Sequence, residues 1–371
     1  MPFLVFVGTY TEPIRFGTGR VLQGKGGGIH AFAFADGRLH ERMVTAGARN
    51  PSFLAPGPDG RYLYCVNELK EWEGQFGGAV SAFRVDGESG ALTLINTQAS
   101  LGTDPCHLIL DPAGKHVLVA NFAGGSVTVL PVRPDGGLEP ASQHIQHEGR
   151  SRDPVRQAGP HAHAVAFDLT GHFVFVPDLG LDKTMIYVWD GSRLTPNPNQ
   201  NWAEAAPGAG PRQLAMHPGG RFAYVINELD STISVFRYDP DRGRLDPIET
   251  LPTLPAGFTG HSTCAEVQVH PSGRFLYGSN RGHDSIVTYA IDTETGHLTP
   301  RGHTSSGGRT PRHFTLSPDG AHLLAVNQDD DNLVVFRVDV ATGALTPLQE
   351  MATVGTPICV RFASETGLGP P

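Results

Sequence analysis

Four histidines (His107, His161, His163, His313), three arginines (Arg212, Arg281, Arg312) and two glutamates (Glu228, Glu266) carry the chemistry this chain offers. An imidazole or a carboxylate can take a proton from a nucleophile near neutral pH. A guanidinium can stabilise a developing oxyanion, or grip a phosphate or carboxylate through two parallel hydrogen bonds. His161 and His163 stand at i and i+2, one strand face, which is also a geometry for a metal pair. No carboxylate partner sits at a fixed spacing from them, so proton or substrate handling is the better reading, and neither a metal nor another cofactor is expected. Catalysis is therefore expected to survive exhaustive EDTA treatment. Complete loss, restored by one divalent cation, would make the two histidines ligands.

These residues are scattered from position 107 to position 313, and a repeat brings them together. PSFLAPGPDGRYLYCVNE from Pro51, PCHLILDPAGKHVLVANF from Pro105 and PRQLAMHPGGRFAYVINE from Pro211 align with one another. CAEVQVHPSGRFLYGSNR from Cys264 and PRHFTLSPDGAHLLAVNQ from Pro311 join them, and AHAVAFDLTGHFVFVPDL from Ala162 fits with Asp178 in place of the Asn. The turn glycines Gly60, Gly114, Gly171, Gly220, Gly273 and Gly320 are 47 to 57 residues apart. Each unit reads as four strands rich in Val, Ile, Phe and Tyr, and no helix-period pattern appears. PICVRF (Pro357 to Phe362) matches a first strand with nothing after it, and FLVFVGTY (Phe3 to Tyr10) a second strand with nothing before it. Pairing the two completes a seventh unit and removes an exposed edge. The expected fold is all-β: one seven-bladed propeller over 1–371, with four-stranded blades and a ring closed by the terminal strands. Two stacked β-domains would leave both half-blades unexplained.

If the first strand of each blade lines the central channel, residues after each initial Pro and residues ending each second strand share one mouth. That mouth collects every residue named above. The asparagines Asn67, Asn121, Asn227, Asn280 and Asn327 recur at one repeat position, and such symmetry points to a turn support common to every blade. Function needs asymmetry, because one substrate has different ends. Arg212, Arg281, Arg312, Glu228, His163 and Glu266 break the symmetry and are the functional candidates.

Composition narrows the partners. Lys+Arg 28 against Asp+Glu 37 gives a net charge of −9 with no basic run, which argues against nucleic acid. Four cysteines lie far apart with no CxxC pair, so free thiols in a reducing compartment are expected. The apolar N-terminal stretch lacks a basic segment and a small-residue cleavage site, and no run reaches membrane-span length. The cytoplasm is the expected compartment, and the oligomeric state stays open. GKGGGI (Gly24 to Ile29) precedes a strand and lacks the trailing Lys-Ser/Thr of a phosphate loop, so it reads as an inter-strand loop. Arg150, Arg152 and Arg156 fall in a long inter-blade loop that is either solvated surface or a lid over the mouth.

The segments VGTYT, GPHAHAVAFD, VPDLGLDK, GAGPRQLAMHP, YVINELDSTISVF, AEVQVHPSGRFLYGSNRGHDSI and TPRHFTLSPDG resemble the β-propeller lactonase family, over essentially the whole chain. That family includes a 6-phosphogluconolactonase type and a fungal 3-carboxy-cis,cis-muconate lactonizing type. The resemblance implies a site built on His163 (or His161), Arg212, Glu228 and Arg281, with no metal. Where the pattern has a His after the Arg, this chain has Gln213. On this footing the leading expectation is hydrolysis of a sugar lactone, 6-phosphogluconolactone above others. Glu228 or His163 would accept the proton of water, Arg212 or Arg281 would stabilise the oxyanion, and Arg312 would hold the phosphate or carboxylate. His107, His161, Glu266 and His313 would line the rest of the substrate site. A carboxymuconate cycloisomerase needs the same parts. A non-catalytic ligand- or protein-binding propeller is the third reading, and the charged mouth argues against it.

Overall fold

Seven antiparallel sheets stand around a central channel in the computed structural model, which describes residues 3–363. Residues 1–2 and 364–371 of the expected 1–371 domain lie outside the described residues. Blade 1 runs outward from Pro51–Pro56 through Tyr62–Asn67 and Ala79–Val85 to Leu92–Ala99. The inner strands of blades 2 to 6 are Pro105–Leu110, Ala166–Phe167, Pro211–Met216, Thr263–Val269 and Pro311–Leu316. Blade 7 takes its inner strand, Pro357–Phe362, from the C-terminal part of the chain and its second, Phe3–Thr9, from the N-terminal part. Ile29–Ala35 and Arg38–Thr45 complete it. The fold is the expected propeller, and no helix long and apolar enough to span a membrane is present among the described residues.

The core lies between blades, where inner- and second-strand side chains of neighbours interleave. Tyr64, Tyr224 and Tyr277 cross to the next blade and donate to the carbonyls of Gly136, Gly296 and Gly343. A Cβ at Gly296 (φ 82°) would meet the Phe222 ring at 2.5 Å, so only glycine fits that turn. The repeated asparagines are structural: Asn121 donates to the Ser100 carbonyl, Asn327 to that of Ser306, and Asn280 to that of Thr253. In blade 3 Asp178 does the same work as an acceptor, taking the N–H groups of His161, Gly180 and Leu181.

Blade 3 departs from the expected pattern. Its inner strand shrinks to Ala166–Phe167, with one isolated bridge, Ala162↔Asp178, before it. Pro177 in the facing strand has no N–H to give to the ladder, which breaks the pairing there. The four cysteines are buried free thiols. Two small hairpins stand outside the repeat: Ile14–Arg15 with Val21–Leu22, and Glu71–Trp72 with Gln75–Phe76.

Candidate active site

One backbone device aims side chains into the channel. Between inner and second strands the pairing skips the residue after the first proline, leaving Ser52, Cys106, Arg212 and Arg312 bulged. Blade 5 skips within Ala265–Glu266 and blade 7 at Ile358, while His163 takes this place in the broken strand of blade 3. A bulge leaves its extra residue unpaired and re-aims it. Here the bulged positions meet at one constriction, the waist of the channel.

A second device sets the mouth above the waist. The residue before each inner-strand proline is left-handed: Asn50 (φ 40°), Asp104 (51°), Gly210 (68°), Thr310 (64°) and Thr356 (43°). Its carbonyl then accepts the N–H of the residue that follows the second strand, namely Glu68, Phe122, Glu228, Gln328 and Tyr10. Left-handed non-glycine residues cost of order 1–3 kcal/mol each and gather at functional sites.

The mouth is a cavity of about 270 Å³. Glu228, 5% exposed, is its electrostatic centre. Arg156 Nη2 lies 2.6 Å from one of its oxygens, and Arg212 Nε (3.1 Å) and Arg281 Nη2 (2.7 Å) lie on the other. Arg281 and Arg212 are themselves steered by the Cys264 and Ala265 carbonyls. Burial pushes the Glu228 pKa up, but Arg281, Arg156 and Arg212 outweigh it and hold the carboxyl well below the usual range. A carboxylate held that way is a weak base, so Glu228 clamps three guanidiniums and leaves proton acceptance to another group.

Arg312 differs from these three. It has no hydrogen bond or ion pair among the described residues and rests over the rings of Phe16 (5.4 Å) and Tyr10 (5.9 Å). It borders both the mouth and the waist. Tyr10 donates to Glu68 Oε2 at 2.9 Å, and burial raises the pKa of Glu68 against the pull of Arg312. Asp104 pairs with Lys70. The hairpin outside the repeat brings Arg15, Phe16 and Arg20 to the rim.

His163 lines mouth and waist, 8% exposed, with Nδ1 3.8 Å from Cys106 Sγ. Burial and Arg212 hold its pKa well below the ordinary value, so the imidazole is neutral. His161 is not on the cavity wall. It stacks behind Phe122, and its Nδ1 lies 2.9 Å from the Phe122 carbonyl. His107, Glu266 and His313 lie deeper than expected, at the waist, where the cavity volume is about 20 Å³. That volume holds about one water and no sugar ring.

The sequence reading missed Arg15, Arg20 and Phe16, because their hairpin belongs to no blade. It left Arg156 undecided between surface and lid, and the structure places Arg156 on the mouth wall. The one available signal was the clustering of Arg150, Arg152 and Arg156 just before the PHAH segment.

A closed seven-bladed ring with an arginine-lined pocket at one end of its channel defines the class: a propeller enzyme acting on a small molecule. The family model "Lactonase, 7-bladed beta-propeller" matches residues 4–362, and the chain belongs to that family. A 6-phosphogluconolactonase of Bacillus subtilis is 34% identical over 362 residues, 97% of this chain and 98% of that protein. A 6-phosphogluconolactonase of Formosa agariphila is 32% identical over 84% of this chain and 86% of its own length. Among solved structures, the periplasmic gluconolactonase of Pseudomonas aeruginosa superposes with a TM-score of 0.87 at 33% identity, covering 100% of both chains.

Proposed function

We propose that this chain is a lactonase that hydrolyses 6-phosphogluconolactone to 6-phosphogluconate in the channel mouth. The observation that carries the reading is Arg312: a guanidinium with no hydrogen bond or ion pair among the described residues, at the floor of a pocket already rich in arginine. Its relatives named for the same reaction support the substrate. The phosphate, the more strongly hydrated end, stays at the open rim with Arg15 and the outward face of the Arg156–Arg281 pair. The lactone carbonyl reaches the floor. There Arg312 receives the oxyanion as water adds, and Arg212, held by Glu228, adds field from beside it. The neutral His163 orients the ring through a hydrogen bond. Ring opening releases the C5 oxygen as a hydroxyl and leaves a carboxylate.

The compartment proposed is the cytoplasm, supported by four unpaired thiols and a phosphorylated substrate.

A substrate panel tests the reading. Purified protein is assayed for product above spontaneous ring opening, with 6-phosphogluconolactone, gluconolactone and 3-carboxy-cis,cis-muconate. The phosphorylated lactone is expected to give the highest kcat/KM. Preference for gluconolactone would move the substrate to that of the Pseudomonas relative, and activity on carboxymuconate alone would overturn the lactonase reading. In the same assay Arg312→Met is expected to lower kcat by about 10²–10³, the usual loss for one oxyanion donor. Arg15→Ala is expected to raise KM for the phosphorylated lactone and leave gluconolactone unaffected.

A further inference from the structure

The lactonase reading leaves one requirement open, the group that takes the proton from water, and the waist of the channel answers it. Nδ1 of His313 accepts the Val360 N–H (3.4 Å), and Nδ1 of His107 accepts the Val165 N–H (3.3 Å). Each neutral ring therefore carries its hydrogen on Nε2. His313 Nε2 is buried, has no hydrogen-bond partner among the described residues, and lies 3.6 Å from Glu266 Oε2, too far for a direct bond. A buried donor left without an acceptor is destabilising, and an ordered water is the usual remedy. The cavity beside it, about 20 Å³, has room for about one.

We propose that the waist binds a single water between the Nε2–H of His313 and the Glu266 carboxylate, that this water is the nucleophile of the lactonase reaction, and that Glu266 is its proton acceptor. The proposal rests on the lactonase function. The donor N–H engages a lone pair of the water, and one water O–H points to Glu266. The remaining lone pair is free for the carbonyl carbon seated above, beside Arg312 and His163. The new C–O bond forms as the O–H bond breaks toward Glu266. Collapse of the tetrahedral adduct breaks the bond to the ring oxygen, which takes that proton back. The carboxylic acid product then ionises to solvent.

The surroundings of Glu266 suit the role. Burial raises its pKa to about 7 against the pull of Arg361 from blade 7 and Arg212 from blade 4. Gln213 from blade 4, His313 from blade 6 and Gln268 from its own strand also face it, and His107 from blade 2 lines the same space. His313 and His107 are held neutral by burial and by Arg361, so they stay donors and do not compete for the proton.

The route of supply is also in place. Below the waist the channel opens again into a funnel of about 320 Å³ on the opposite face, and His107, Gln213 and Glu266 border both spaces. A lactone filling the mouth seals the waist from above, and the funnel refills it from below.

The test is the pH profile of Glu266→Gln on 6-phosphogluconolactone between pH 6 and 9, corrected for spontaneous hydrolysis. Wild-type kcat is expected to rise with pH through about 7 as Glu266 ionises. Glu266→Gln is expected to lose about 10²-fold in kcat together with that limb, with KM within about twofold. His313→Leu, which removes the N–H and keeps the base, is expected to lower kcat and keep the limb. A Glu266→Gln enzyme that retains rate and limb overturns the proposal while the lactonase reading stands. A wild-type enzyme with no turnover above background overturns the lactonase reading itself.

Discussion

Removal of residues 356–371 is expected to prevent formation of a stable ring. The loss takes away the whole inner strand of blade 7. Ile358, Val360 and Phe362 are at most 4% exposed, and each contributes roughly 1.5–3 kcal/mol by burial. Their sum approaches the roughly 5–15 kcal/mol that holds a typical domain together. The deletion also strips Phe3–Thr9 of one neighbour, leaving an apolar edge open to other chains. Thr356 goes as well, and with it the bonds its carbonyl and hydroxyl accept from the N–H groups of Tyr10 and Lys25. Thermal melts and size-exclusion chromatography read the outcome. A truncated monomer with the wild-type Tm would show that the seam does not hold the ring.

Glu228→Gln is expected to be the most damaging isosteric change in the mouth. Glutamine keeps the shape of the side chain and removes the one negative charge shared by Arg156, Arg212 and Arg281. Stranding buried cations costs about 3–5 kcal/mol. The three guanidiniums then separate, and turnover falls by about 10²–10³ because Arg212 no longer faces the reacting carbonyl. The sign with pH follows from the depressed carboxyl. In the wild type its contribution is fully present above the ordinary pKa of 4.5 and is lost as pH falls through the lower folded-state value. Melting curves of the two proteins should therefore differ most at neutral pH and converge in acid. Adding Arg156→Ala, which removes one surplus cation, is expected to return part of the stability. An unchanged Tm for Glu228→Gln at pH 7 would show that the cluster is not held by this charge.

Glu266→Gln should show the opposite trend in stability. The folded-state pKa is raised from 4.5 to about 7, so the wild type loses stability as pH rises through that range. The variant is expected to be the more stable of the two above pH 7, by about 3 kcal/mol at full ionisation, and to match the wild type below pH 4.5.

The ring was legible in the sequence because each blade repeats its proline, its turn glycine and its asparagine at the same spacing, and because the two half-blades are complementary. The mouth was legible for the same reason: Glu228 and Arg281 sit at fixed repeat positions. Depth was not. Arg312 and His313 are neighbours in sequence, yet the bulge at Arg312 turns it toward the mouth while His313 drops to the waist. Bulges depend on how two strands pair, which one strand does not announce. Proton roles were hidden as well, since three cations converging on Glu228 come from two blades and a loop. Pro177 is visible in the sequence, and the break it causes in blade 3 could have been read from it.

The seam of blade 7 also has a mechanical side. The Ala363 N–H donates to the Leu4 carbonyl at 2.8 Å, and the rungs run from Val5↔Phe362 through Phe6↔Arg361 to Val7↔Val360 and beyond. A pull applied at these two adjacent ends loads the rungs one after another, as a zipper is opened, and never shears them together. The second rung to part carries Arg361, which faces Glu266 across the channel. Tension on these two strand ends is therefore felt at the waist before the rest of the blade has yielded.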